Sequence, residues 1–451
     1  MHATTASSHL PGSRSNPLVN RSFALLWIGQ SISNLGDYVF TTTLALWIVT
    51  RLAHSTPSWA PLAVAGVLAA SALPDALVGP LSGVFVDRLD RRRLMMRMDL
   101  CRALLITLLA LVTGALVLPV VPAVRPSSQV QLAAVYVVVF LAGICAQFFA
   151  PARLAIIQEI VPEPFRARAS GLSQATSSLA MIAGPMAAAP LYFACGPGLA
   201  LVVNAVSFLV SFAAIAAIGG RWSARATHEP GSSYRRDLVE GLRFFGGNVT
   251  LRVVLVTACL VMLGGGCLNA LDIFFLQRNL HASTQFYGLL SGAGGCGLLS
   301  GAVLTAVYGD RFGILRVFWL GIVGLGALVL LYARLSSLGP AMVVLFAIGL
   351  PNAAVNVVIG PIIMKATPAR FLGRVAAVFH PATALASLLS TALAGYLAST
   401  LLRDVRFSFL GVWWSDIDLL FTATGLLILA GGLYARARLS GQASPGISHP
   451  E

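Results

Sequence analysis

Residues 83–94 read GVFVDRLDRRRL, with Asp87 and Asp90 set among Arg88, Arg91, Arg92 and Arg93. Long apolar runs flank this knot of charge, at 59–86 and 94–119. About 20 apolar residues suffice to cross a bilayer as a helix. The charged stretch therefore reads as a tight turn between two crossings. The same alternation recurs along the chain and predicts spans at about 22–50, 59–86, 94–119, 131–158, 169–193, 199–219, 250–277, 284–308, 317–335, 340–365, 375–400 and 416–436.

Composition supports this reading. The chain has 451 residues, of which 57% are hydrophobic and 10% charged. A soluble protein carries roughly a quarter charged residues, so most of this surface faces something other than water. The apolar runs are continuous rather than alternating, which argues against a β-barrel. The expected fold class is an all-α polytopic membrane protein. The polar segment 221–249 divides it into an N-terminal six-helix half (1–220) and a C-terminal half with a short tail (250–451).

Orientation follows from the distribution of basic residues. Numbering the spans places 23 of the 30 Lys and Arg on one side, Arg102 counted there as a flank of the second loop, and 6 on the other. The positive-inside rule then puts both termini and the 221–249 linker in the cytoplasm. It also accounts for the net charge of +14. The arginines are split among loops rather than gathered on one element, so no nucleic-acid partner is expected. Residues 1–20 are polar and the first apolar run lacks a clear cleavage site, so no cleaved leader is expected.

The halves carry matching residues. Asn20 and Leu35-Gly36 correspond to Asn248 and Leu263-Gly264. Asp87-Arg88 corresponds to Asp310-Arg311, and PEPFRAR (162–168) to PARFLGR (368–374). The order is preserved, as a duplication requires.

Twelve spans in two repeats, a central linker and the pattern Gly83-x-x-x-Asp87-Arg88-x-x-Arg91-Arg92 resemble the major facilitator superfamily. Asp90 stands where that signature has its second glycine. A degenerate copy, Asp310-Arg311-Phe312-Gly313-x-x-Arg316, follows the eighth span. NRSFALLWIGQSISNLGDYVF (20–40) and FFAPARLAII (148–157) are similar to the macrolide-efflux branch of the bacterial drug exporters. The resemblance implies that Asp87 meets the start of the eleventh span, at Gly373-Arg374-Val375. The positive helix end there stabilises a carboxylate by roughly 0.3–2 kcal/mol. Arg88 and Arg91 would hold the acid by charge-assisted hydrogen bonds. Such a contact joins the halves in one access state only.

A charge at the bilayer centre costs about 2.5–3.5 kcal/mol on insertion scales, so an acid there is a functional hypothesis. Asp37 lies 14 residues beyond Phe23, about 21 Å along a helix. It reads as a proton or cation site, or as a structural polar contact. Gln30, Asn34 and Tyr38 occupy nearby faces and could line the same cavity. Asp75 lies about 18 Å from Asp87 along a helix, either as a coupling or substrate group or in a water-filled crevice. Asp272, near the outer end of the seventh span, is expected at the interface. Arg153 is expected to snorkel to the cytoplasm. Both remain candidates for lining the substrate cavity. The arginine that many drug–proton antiporters carry early in the fourth helix is missing from VYVVVFLAGICAQ (135–147). Gly184-Pro185 resembles the helix-5 signature of exporters, with Ala187 and Ala188 replacing its closing glycines. It reads as a kink or as a directional seal.

The six cysteines form no CxxC pair, and no metal or cofactor motif is present, so no cofactor or metal is expected. No Walker A sequence supplies ATP chemistry. The expectation is a monomeric secondary active transporter of the plasma (inner) membrane, exporting amphipathic small molecules in exchange for protons by alternating access. The alternatives are an uptake facilitator or a metabolite or siderophore permease of the same fold. A membrane-embedded lipid-modifying enzyme is disfavoured, because the chain has no HExxH, GxSxG or Asp-rich metal motif.

Overall fold

The computed structural model describes residues 19–53, 57–86, 89–115, 126–219, 243, 245–368, 371–403, 405, 407–409 and 412–439. With no water in the hydrocarbon region, each crossing must satisfy its backbone polar groups internally, and a helix does so. The first half contains α1 (Arg21–Trp47), α2 (Ala60–Leu77), α3 (Gly79–Val86), α4 (Arg91–Val112), α5 (Ser128–Ile160) and α6 (Arg166–Ala216). The second contains α7 (Val249–Arg278), α8 (Tyr287–Phe312), α9 (Ile314–Tyr332), α10 (Leu338–Ala366), α11 (Leu372–Ser399) and α12 (Asp416–Leu439).

Two features reconcile these helices with twelve crossings. α2 and α3 form one crossing, interrupted at Val78. α6 forms two, because Gly196 breaks it with φ 75° and ψ 179°. That conformation is readily accessible only to glycine, and Pro190 and Pro197 flank the break. Each predicted span overlaps one crossing. The all-helical expectation has one exception among the described residues. A two-stranded antiparallel hairpin, β1 (Phe407–Phe409) and β2 (Val412–Trp414), pairs Phe407 with Trp414 and Phe409 with Val412. Its aromatic and β-branched residues suit a pleated strand.

In the first half α1 packs along α6, α4 against α5 and α6, and α2 against α5. In the second, α7 packs on α11 and α12, α8 on α10, and α9 on α10 and α12. The halves meet along α2–α11 and α6–α8. The Leu62 N–H donates to Ser399 Oγ at 3.0 Å. A side chain on Gly395 would strike Ala65 and Pro61, and one on Gly288 would strike Pro185 and Met186. These contacts run from the bundle centre to the end remote from Asn20 and Asn248.

The internal repeat is built into the packing. Asn20 caps α1 by accepting from the Phe23 N–H at 2.7 Å, and its amide donates to the Ile160 carbonyl at the end of α5 at 2.6 Å. Asn248 caps α7 through the Leu251 N–H at 3.1 Å and donates to the Ala366 carbonyl at the end of α10 at 3.0 Å. Gly36 lets α1 close on Asn204 and Ser207 of α6, and Gly264 lets α7 close on Thr424 and Ile428 of α12. Asn20 and Asn248, and likewise Gly36 and Gly264, thus make matched contacts.

Candidate functional site

The first half encloses a polar network that the sequence reading missed. Arg102, expected on a cytoplasmic flank, is instead buried on α4, and Asp99 one turn before it is fully buried. The guanidinium donates to Asp99 Oδ1 at 2.5 Å and lies over the rings of Phe149 and Phe208, 4.6 Å and 4.3 Å from their centroids. Such cation–π contacts favour the planar arginine head. Ser211 Oγ donates to Asp99 Oδ2 at 2.6 Å and accepts from Gln30 Nε2 at 2.7 Å. The network therefore links α1, α4 and α6. The detectable signal was the acid–base pair at i,i+3 inside a membrane-length helix, since such a pair can satisfy itself.

Asp37 lies two turns beyond Gln30 on α1, with Asn204 of α6 beside its carboxylate and both Arg102 and Asp99 acting on it electrostatically. Arg102, the arginine acting on Asp37, comes from the third crossing. Asn34 turns elsewhere and donates to Ser177 Oγ at 3.1 Å. Gln30 and Asn34 share with Arg153, Trp27 and Thr176 a small pocket of about 10 Å³. Arg153 is half-buried in the wall of this pocket. Its Nε is buried and has no hydrogen-bond partner among the described residues. Asp75 is exposed near the end of α2; a side chain at Gly79 would touch it and Gln147 of α5.

A separate cavity of about 480 Å³ opens between the halves. The first half contributes Tyr38, Met181 and Pro185, and α7–α12 the rest of the wall. Asp272, a candidate for lining the substrate cavity, lies in the wall of this one. The Tyr332 hydroxyl donates to Asp272 Oδ1 at 2.7 Å. Behind that bond, Phe275, Tyr332 and Phe421 pack with centroid separations of 4.8, 5.1 and 6.0 Å. This aromatic layer separates Asp272 from the helix end, where Arg278 pairs with Asp416 at 3.0 Å.

Of the loop motif, Asp87 and Arg88 lie outside the described residues, and Gly83 falls within α3. Arg91 pairs with Glu159 at the end of α5, a partner the sequence reading did not foresee. Arg92 donates to the carbonyls of Ile215 and Ala216 at 3.1 and 2.5 Å, capping the end of α6, where a cation complements the helix dipole. Asp310 and Arg311 end α8, with Arg311 over the Tyr308 ring at 5.4 Å. Gly184 lies where α1 crosses α6, since a side chain there would collide with Tyr38. Pro185, next to it, touches Gly288 of the other half. Gly184-Pro185 therefore stands at the junction of both halves and the cavity wall.

Twelve crossings in two repeats around a central cavity define a transporter architecture. The chain belongs to the transmembrane secretion effector family of the major facilitator superfamily, whose model matches residues 12–410. It is 26% identical over 417 residues to the uncharacterized MFS-type transporter YfiS of Bacillus subtilis, covering 90% of this chain and 91% of that protein. It is 25% identical over 288 residues to macrolide efflux protein A of Streptococcus pyogenes, covering 64% of this chain and 67% of that protein. Among solved structures, nucleoside transporter NupG superposes with a TM-score of 0.68 at 11% identity, covering 93% of this chain and 99% of that one. The protein is a multi-pass membrane transporter, not an enzyme.

Proposed function

We propose that this transporter exports amphipathic small molecules across the bacterial plasma membrane in exchange for protons, working as a monomer. The observation that carries this reading is the position of Asp37. It is an acid in the interior of α1, electrostatically tied to the buried Asp99–Arg102 pair and adjacent in sequence to Tyr38, which lines the cavity. Protonation of Asp37 would remove its attraction to Arg102 and alter the contact between α1 and the α4–α6 network. Alternating access would convert that local change into exposure of the cavity to the other side. With both termini cytoplasmic, the contacts between α2 and α11 close the outer side, and the described state opens inward. Asp75 is the rival proton carrier. The Asp87 carboxylate would latch the inner side against the start of α11 in the opposite state.

Transport of erythromycin into everted vesicles tests this reading. A proton gradient should drive accumulation in the wild type. Accumulation indifferent to the gradient would favour the facilitator, and no accumulation of any amphipath in a compound panel would favour a permease for another solute class. Orientation has its own test. In a background lacking the native cysteines, Glu163→Cys should label only from the cytoplasm and His281→Cys only from outside. Both residues are exposed and they sit at opposite ends of the bundle; labelling from one face alone would overturn the assignment.

A further inference from the structure

The cavity between the halves has one carboxylate in its wall, Asp272, and no Lys, Arg or His among its described lining residues. The arginine nearest Asp272 along the chain and the one nearest its partner Tyr332 are engaged elsewhere. Arg278 pairs with Asp416 at 3.0 Å. Arg334 lies 3.5 Å over the Trp414 ring and donates to Thr422 Oγ1 at 2.7 Å. Asp99, by contrast, has its own arginine. The described hydrogen-bond partner of Asp272 is the neutral hydroxyl of Tyr332, which satisfies one carboxylate oxygen and leaves its charge uncompensated. An acid so placed within a membrane calls for a mobile partner.

The walls say what kind of partner fits. Met181, Met262, Leu345 and Ile348 supply apolar, adaptable surface. Tyr38 and Tyr287 present aromatic rings, whose faces attract cations. A small inorganic cation instead requires a cage of several oxygens, and no cluster of three or more His, Cys, Asp or Glu exists among the described residues. From this arrangement we infer that the cavity selects amphipathic organic cations, holding the positive group at Asp272 and the apolar body against the methionine and leucine walls. The inference rests on the cavity being the substrate site of the proposed exporter and names the substrate class it takes.

Equilibrium binding to the purified full-length protein in detergent tests it, with tetraphenylphosphonium and tetraphenylborate as probes of matched shape and opposite sign, each measured alone. The wild type should bind the phosphonium at least about tenfold more tightly than the borate. Asp272→Asn should weaken phosphonium binding by at least about tenfold, while Asp272→Glu keeps most of it. Comparable thermal unfolding of all three proteins ensures that a folding defect is not read as lost binding. Equal binding of the two ions, binding of neither, wild-type phosphonium affinity in folded Asp272→Asn, or a Glu variant as weak as Asn would each overturn the inference. No gradient enters the measurement. Cation binding through Asp272 in a protein that shows no proton-driven transport would leave this inference standing and overturn the exporter reading.

Discussion

Replacing Arg102 with alanine should destabilise the protein by about 3–5 kcal/mol, the usual consequence of removing one partner from a buried ion pair. Asp99 is fully buried, and besides Arg102 its described hydrogen-bond partner is the neutral Ser211 hydroxyl. The cation–π contacts with Phe149 and Phe208 would be lost as well. Thermal unfolding in detergent should show the variant melting well below the wild type. The double replacement Asp99→Leu with Arg102→Leu should recover much of the loss, because exchanging a buried pair for apolar side chains of similar volume is often neutral or stabilising. If Arg102→Ala melts with the wild type, the pair does not hold α4 to α6 and the network has been misread.

The second large effect is expected at Asp37. Asparagine there mimics a permanently protonated side chain at nearly constant volume. Asp37→Asn should abolish gradient-driven accumulation of erythromycin while leaving downhill exchange in place. The fold should tolerate the change, because the bonds from Gln30 to Ser211 and from Ser211 and Arg102 to Asp99 do not pass through Asp37. Asp75→Asn, measured beside it, separates the two candidate carriers. Uphill transport that survives in Asp37→Asn and fails in Asp75→Asn would transfer the role to α2.

How much of this was legible in the sequence depended on how local the signal was. The crossings were legible because each needs a continuous apolar run, and the repeat because Asn20 and Asn248 cap the first helix of each half. The burial of Arg102 was not. Five arginines from Arg91 to Arg102 made the start of α4 look like an extended loop flank, and only packing against Phe149 and Phe208, 47 and 106 positions later in the chain, turns Arg102 inward. The surroundings of Asp272 were hidden for a similar reason. Phe275, Tyr332 and Phe421 pack together beside it, and two of these three come from other helices. Arg153 shares its pocket with Gln30, Asn34 and Thr176, on α1 and α6. The chain order brings none of these groups together.

Proton movement coupled to substrate measures the central claim most directly. In proteoliposomes loaded with a pH-sensitive dye, an imposed erythromycin gradient should drive protons through the wild-type protein in the direction opposite to the drug. The same gradient should move drug but no protons through Asp37→Asn. Wild-type drug transport without proton movement, or proton movement in Asp37→Asn equal to the wild type, would contradict the account.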